Sequence, residues 1–429
     1  MKEVIKSRQL PFKPTQFQQD YLANCFGARR FVYNNFIWLN KQLIKDGKKS
    51  LTYGEASKRL SEMRNATDSE YPWLTTTPRD IQQNALRDLY QAYKMHFKRP
   101  DHFELPRFAK KTYAGSCRFA IEPKCKKFEL GVYCKPNKVI GELKVNWRAG
   151  TDFSDKKPKA LTIRKRPDGK YFISVAVEQP IVQHVPTGKQ VGIDVNETQL
   201  IVASDGTKIE FTKKYLRLER RLKKEQAVLS RKKDKTSNRY KKQRLLVAKL
   251  HQQKTNAMED IYQQVSSKLV RENDVLCIET LNIVGMKKNK RRAGGIHRAA
   301  WGRFFTMLEY KCKWHDKRLV KIDRWFASSQ ICSECGAKNK NLKDYHTYVC
   351  KSCGYSDDRD LNASYNILAE GIGQAPSAGA GSLMQEQDEK LKSSSVTSVT
   401  DRGNHEVRPS QNPTIQTIHS CHEAGAEMS

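Results

Sequence analysis

Apolar residues recur at intervals of three and four from Gln16 to Lys45, from Tyr53 to Arg64 and from Ile81 to Lys98, with Gly, Pro and Asp breaks between the stretches. This spacing predicts three amphipathic helices. Ahead of them Val4–Phe12 reads as a strand, and from Tyr113 to about Pro180 the period shortens towards two. Gly141–Trp147, Lys159–Arg166 and Tyr171–Pro180 are predicted strands, set apart by turn signals such as Pro167-Asp168-Gly169. The expectation is a helical module, residues 12–111, inserted into a β module made of residues 1–11 and 112–185. No internal repeat is evident at solenoid periods.

The pattern changes at Gln190. Val191–Asn196 is a short strand of buried type, and Gln199–Gly206 and Thr207–Thr212 continue as strands across the hairpin signal Asp205-Gly206. Two basic helical stretches follow, then another buried-type strand at Val275–Leu281. Trp301, Phe304, Phe305, Leu308 and Cys312 mark the apolar face of a further helix, and Leu319–Phe326 makes a fifth strand. Three antiparallel strands followed by alternating helix and strand is the order of an RNase H-like sheet, so the predicted class is α+β and multidomain. That sheet domain is expected at residues 186–327 and 357–370.

Composition then points to a partner. The 429 residues carry 79 Lys and Arg against 46 Asp and Glu, a formal charge of +33, while 38% hydrophobic residues suffice for a sizeable core. Self-repulsion on this scale is offset by a polyanion, in a cell usually nucleic acid. Residues 371–429 are rich in Ser, Gly, Gln and Thr and are expected to be a disordered tail. The tail holds four Lys and Arg against seven acids, so the rest of the chain is more basic than the average. No stretch approaches the ~18 consecutive apolar residues of a membrane span, and the opening residues lack the apolar core of a signal peptide. A soluble cytoplasmic protein with no membrane partner is expected.

The densest basic run, Lys213 to Lys254, has 17 Lys and Arg against Glu219, Glu225 and Asp234. Leu218, Leu222 and Leu229, with Leu245, Leu246 and Leu250, predict two helices facing each other around the turn at residues 230–240. A second basic cluster, Lys287 to Arg298, contains Gly294-Gly295 and reads as a mobile loop. Arg220, Arg221, Lys224, Arg231, Lys232, Lys233, Lys241 and Lys242 in the first, and Lys287, Lys288, Arg291 and Arg292 in the second, are the candidate nucleic-acid contacts. A merely solvated helical hairpin is the plainer alternative.

Four of the eleven cysteines form Cys332-x-x-Cys335-Gly336 and Cys350-x-x-Cys353-Gly354. Each pair makes a tight turn that points two thiolates at one centre, and the following Gly permits the backbone conformation such a knuckle needs. Four thiolates complete a tetrahedral zinc shell, so one structural Zn²⁺ is expected within residues 328–356. Two disulfides or a redox CxxC are the competing readings. Cys25, Cys117, Cys125, Cys134, Cys277, Cys312 and Cys421 read as small hydrophobes or bystanders.

Asp194 stands in an apolar strand among Val191, Ile193 and Val195, and Glu279 follows Val275–Ile278; a buried carboxylate in either place is costly unless paired or metal-bound. Asp360 opens a helix in which Leu361, Tyr365 and Leu368 share one face, and its first-turn position suits a carboxylate. Taken singly, each acid has a structural explanation: a helix cap for Asp360, a strand end for the others. Together they fall on the first strand, the fourth strand and the closing helix of the inferred sheet, where oxygen ligands would converge on two Mg²⁺ ions for phosphodiester hydrolysis. Asp205, Asp274, Asp323, Asp357 and Asp358 read as turn or cap residues.

Gly192-Ile193-Asp194, Ile278-Glu279-Thr280-Leu281, the knuckle Ser328-Ser329-Gln330-x-Cys332-Ser333-x-Cys335-Gly336 and Asp358-Arg359-Asp360-x-Asn362-Ala363 resemble TnpB, the RNA-guided nuclease family of insertion-sequence transposons related to the type V CRISPR effectors. The likeness spans Ile193 to Ile367 and continues more loosely through Arg30–Asn34 and Leu105–Phe108. It implies a RuvC-type nuclease with Asp194, Glu279 and Asp360 as Mg²⁺ ligands, a β-barrel-like wedge and a helical recognition module before it. It also implies a guide RNA from the transposon end, a double-stranded DNA target beside a short motif, a prokaryotic cell, and basic helices along the heteroduplex channel. Two departures stand out. Asn196, followed by Glu197, replaces the family's usual glycine two residues after the first Asp, and Met258 and Gln263 replace an Arg and a His before the second acid. Two alternatives to a guided nuclease are an RNA-guided DNA-binding repressor or transposition accessory protein that no longer cuts, and an unguided resolvase or transposase.

Overall fold

The computed structural model describes residues 3–66, 68–119, 133–134, 139–145, 158–181, 184–339 and 346–373. The expected tail beyond residue 373, Cys125, Cys421 and the end of the Gly141–Trp147 segment lie outside the described residues. The elements below fall within one compact unit, Met1–Ala375.

The chain opens with β1 (Glu3–Phe12), followed by α1 (Gln16–Lys45), α2 (Tyr53–Asn65) and α3 (Arg79–Lys98). Capping boxes fix two of the helix starts: Thr15 with Gln18, and Thr52 with Glu55, each side chain bonding the other residue's backbone N–H. The strands β2 (Gly115–Phe119), β3 (Tyr133–Cys134), β4 (Leu143–Lys144), β5 (Pro158–Lys165) and β6 (Tyr171–Pro180) come next. A four-stranded sheet runs in the order β1-β6-β5-β2, with β1 antiparallel to β6 from Glu3↔Pro180 to Phe12↔Tyr171. Tyr171, Ile173, Val175 and Val177 alternate inward along β6 and share a core with Leu10, Phe12 and Leu22. A separate core of Val32, Phe36, Leu60, Leu86 and Leu89 joins the three helices. Within the described part of the predicted Gly141–Trp147 strand, Leu143–Lys144 pair with β3 and Val145 bridges to Phe12, while the Gln18 side-chain amide on α1 donates to the carbonyls of Ile140 and Glu142.

The remainder alternates strands and helices. It comprises β7 (Gln190–Asp194), β8 (Gln199–Ala203), β9 (Lys208–Glu210), α4 (Lys213–Ser230), α5 (Asn238–Glu272) and β10 (Val275–Glu279). After these come α6 (Ile283–Met286), α7 (Lys290–Ala299), α8 (Trp301–Trp314), β11 (Arg318–Ile322), β12 (Thr347–Val349), β13 (Ser356–Asp358) and α9 (Arg359–Gly373). The second sheet runs β11-β10-β7-β8-β9; β7, β8 and β9 are antiparallel, whereas β10 lies parallel to β7 and β11 parallel to β10. Val191, Ile193, Leu276 and Ile278 face a core with Tyr262, Leu269, Trp301, Phe304 and Leu308.

Two expectations change. Lys287–Arg298 is not a loop: Asn289 Oδ1 accepts from the Arg291 N–H and starts α7, which carries Gly294-Gly295 within it. Its second glycine faces the Glu197 side chain. In the α4–α5 hairpin, Val247 joins Leu222 and Leu250 in the buried seam with Leu218, Leu229 and Leu246, and Leu245 does not. On α9 Asn362, Ala363, Ser364, Asn366, Ile367 and Gly371 are buried, while Leu361, Tyr365 and Leu368 are half-buried, with Leu368 packed on the core of Cys277, Ile322 and Ile367. Among the described residues no helix is long and apolar enough to cross a membrane.

Candidate active site and cysteine centre

Ile193 of β7 is paired with Ile278 of β10, so the next residues, Asp194 and Glu279, leave parallel neighbours at the same edge of the sheet. Helix α9 lies against both strands and brings Asp360 in its first turn. Its close seat needs glycine: a Cβ at Gly192 would stand 2.1 Å from the Ser364 carbonyl oxygen, and one at Gly371 would stand 2.4 Å from Cys277 Sγ.

The three acids are half-buried and electrostatically coupled through Asp194. Burial pushes the Asp194 carboxyl well above the usual range, and the charges of Glu279 and Asp360 push it further. Burial also raises Glu279, against the hydrogen bond from Ser328. Asp360 is raised by burial and by Asp358, against Arg359 and the Asn196 amide. Like charges crowded into a half-buried edge are stabilised by a cation, and an all-oxygen donor set suits a hard divalent one.

Neighbouring side chains hold the acids in place. Ser328 Oγ donates to Glu279 Oε1 at 2.5 Å, and the Ser328 carbonyl accepts from Asn366 Nδ2 at 2.8 Å. Asn196 Nδ2 donates to Asp360 Oδ2, so the residue that replaces the family's glycine orients a site carboxylate. The cap of α9 is Asp358, whose Oδ1 accepts from the N–H groups of Asp360 at 2.9 Å and Leu361 at 3.2 Å. The capping role that could have explained Asp360 is therefore filled two residues earlier. Met258 is buried in the sheet–helix core, and Gln263 donates to Tyr310 Oη at 3.0 Å. Sequence reasoning gave Ser328 and Asn366 no role; the visible signal was Asn362 and Asn366 one turn apart inside a helix, each bonding the backbone that leads into the first cysteine pair.

Cys332, Cys335, Cys350 and Cys353 place their sulfurs within 4.8 Å of one another. Sγ separations of 3.7 Å for Cys332–Cys353 and 3.6 Å for Cys335–Cys350 are far beyond a disulfide bond. They match the ~3.8 Å edge of a tetrahedron with metal–sulfur bonds of about 2.3 Å. Gly336 at φ +70° and Gly354 at φ +77° take the left-handed conformation each knuckle turn requires. Among the described residues this is the one group of three or more His, Cys, Asp or Glu placed to hold a metal ion in this way.

The candidate basic contacts divide between two places. Arg220, Arg221, Lys224, Arg231, Lys233, Lys241 and Lys242 are exposed on or beside the α4–α5 hairpin, and Lys232 is half-buried. Lys288, Arg291 and Arg292 are exposed around α7, with Lys287 half-buried. Arg292 pairs with Glu197 at 2.6 Å, which ties α7 to the turn after Asp194.

Comparison with known proteins adds three family matches: a Cas12f1-like TNB domain over residues 301–367, a family described as "Probable transposase" over residues 172–290, and a helix-turn-helix domain over residues 1–49. The chain is 32% identical over 399 residues to a Streptomyces pristinaespiralis protein named "Putative RNA-guided DNA endonuclease", covering 92% of this chain and 96% of that protein. It is 26% identical over 410 residues to the TnpB-like protein L770 of Acanthamoeba polyphaga mimivirus, covering 86% of this chain and 74% of that one. The Cas12f1 chain of a Cas12f1–sgRNA–target DNA complex superposes with a TM-score of 0.54 at 11% identity, over 85% of this chain and 98% of that chain. That last likeness concerns fold alone.

Proposed function

The chain belongs to the TnpB family of RNA-guided DNA endonucleases, and on that premise we propose that it cuts guide-paired DNA at Asp194, Glu279 and Asp360. The observation that carries this reading is the register Ile193↔Ile278, which sets Asp194 and Glu279 side by side at the ends of β7 and β10, with α9 seated against both strands and carrying Asp360 in its first turn. The donor set fits two Mg²⁺ ions: with one oxygen of Glu279 bonded to Ser328 and one of Asp360 bonded to Asn196, each retains an oxygen for a cation. When bound, such ions would supply Lewis-acid activation of water and neutralise charge at the leaving oxygen. Within this scheme Ser328 and Asn196 fix the carboxylate orientations, and α9 sets the distance of Asp360 from the strands.

The second sheet would then be the RNase H-like, RuvC-type nuclease domain, and the four cysteines would bind one structural Zn²⁺ that braces the chain between Glu279 and Asp360. Residues 1–185 would form the wedge-like β module with its helical recognition insert. The exposed bases of the α4–α5 hairpin and α7 would follow phosphates of the guide RNA–DNA heteroduplex, reading shape while base pairing reads sequence. The guide would come from the transposon end, and the target would be double-stranded DNA beside a short motif.

The test is cleavage of a plasmid carrying a guide-matched site by protein purified with its co-expressed RNA. Cutting that requires both Mg²⁺ and the RNA is the expected result. Cutting that survives removal of the RNA would point to an unguided enzyme, and binding without cutting to a repressor.

A further inference from the structure

Trp325 is 78% exposed, the most exposed tryptophan among the described residues. Its position beside the carboxylates is set at both ends of one turn. Ile322, the last residue of β11, is paired with Glu279, and Thr280 Oγ1 donates to the Ile322 carbonyl at 2.8 Å. Six residues on, Ser328 donates to Glu279 Oε1. Between these ties Asp323 Oδ1 accepts from the Trp325 N–H at 2.7 Å, and Phe326 packs on the core of Cys277, Ile322 and Ile367. The turn is anchored inward by Phe326 and holds the neighbouring indole out in water, three residues from the strand position opposite Glu279 and so within about 10 Å of chain. The Arg324 guanidinium stands 4.5 Å from the Trp325 ring centroid.

A lone exposed aromatic is ordinary on a protein surface. A rigidly mounted one, flanked by a cation and set at the edge of a phosphodiester-cutting site, has the chemistry of a platform for unpaired bases. Guide pairing leaves the displaced DNA strand unpaired, and a base beside a scissile phosphate on that strand has an apolar face to cover.

We propose that Trp325 stacks an unpaired base of the DNA strand being cut, next to or one nucleotide from the scissile phosphate, with Arg324 beside the adjoining phosphate. This rests on the assignment of the three acids as the cutting site. The guide-loaded protein is given targets with a single abasic position scanned through the cut region, and matching targets with 5-bromodeoxyuridine at the same positions. Trp325→Ala slows cutting on the order of tenfold, the loss of one base–aromatic stack, with an unchanged melting temperature, and Trp325→Phe recovers most of the rate. One abasic position slows the wild type by a similar factor and adds nothing to Trp325→Ala. In Asp194→Ala protein, ultraviolet light joins bromouracil at that position to residue 325. Wild-type speed in Trp325→Ala, additive losses, or crosslinks from residue 325 to the guide RNA or to a protein would overturn the proposal. A wild-type complex that crosslinks at residue 325 yet never cuts with Mg²⁺ would instead count against the cleavage mechanism.

Discussion

Gly192 and Ser364 touch backbone to backbone: a Cβ built on the glycine would stand 2.1 Å from the serine carbonyl oxygen and 2.8 Å from Leu368 Cβ. Neither the strand nor the helix backbone can retreat as a flexible side chain would. Gly192→Ala should therefore displace α9 and carry Asp360 away from Asp194. Overpacking of this kind costs about 1–3 kcal/mol. A melting temperature lower by several degrees, with cleavage reduced more than target binding, is the expected pair of measurements.

Asn196 bonds Asp360 through its amide, while its Oδ1 accepts from the N–H groups of Thr198 at 2.8 Å and Gln199 at 2.6 Å. A hydrogen bond to a charged group contributes about 1.5–3 kcal/mol. Asn196→Ala should raise the Mg²⁺ concentration for half-maximal cleavage and slow cutting by about tenfold. Asn196→Asp, which sets a fourth negative charge in the cluster, should do more harm than the truncation. Mg²⁺ titrations of the three proteins give the order directly.

Much of this arrangement could be read from residue order, and the parts that could not share a physical cause. The first three helices were legible because Thr15-x-x-Gln18 and Thr52-x-x-Glu55 announce their starts and the apolar spacing is regular. The meeting of Asp194, Glu279 and Asp360 was legible because a carboxylate at the end of an apolar strand is costly without a partner and the element order brings the three ends together. The burial of Asn362 and Asn366 on α9 was not legible, because polar side chains usually face water, whereas here both donate to the Ile331 carbonyl in the knuckle backbone. Likewise Gly294-Gly295 signals a loop in isolation, whereas the Asn289 cap and the burial of Ile296 and Ala299 carry a helix through it.

The cysteine centre predicts one zinc per chain by metal analysis. Cys335→Ser should lower the zinc content and loosen the segment from Ser328 to Asp360, seen as faster amide exchange there. Because Ser328 holds Glu279, cutting should weaken even in excess Mg²⁺. Wild-type protein purified without zinc would contradict the assignment.

Lys311 is buried on α8, and its Nζ donates to the Gln263 carbonyl at 2.9 Å, Ser266 Oγ at 2.7 Å and Ser267 Oγ at 2.8 Å. Burial brings its ammonium down to about 8 from the ordinary 10.5. Below pH 8 both folded and unfolded chains hold the proton, and the penalty of the buried charge is full. Between pH 8 and 10.5 the unfolded chain binds more protons than the folded one, so this group adds stability as the pH rises, by up to about 3 kcal/mol. Denaturant unfolding of wild type against Lys311→Met across pH 7 to 11 isolates the effect, and the variant should lack the rise.

The most direct test of the cleavage site is Asp194→Ala in the guide-loaded protein, measured for target binding and for cutting of a matched plasmid with Mg²⁺. Removing the carboxylate coupled to both Glu279 and Asp360 should abolish cutting while binding stays at the wild-type level. Cutting at an undiminished rate with binding unchanged would contradict the site.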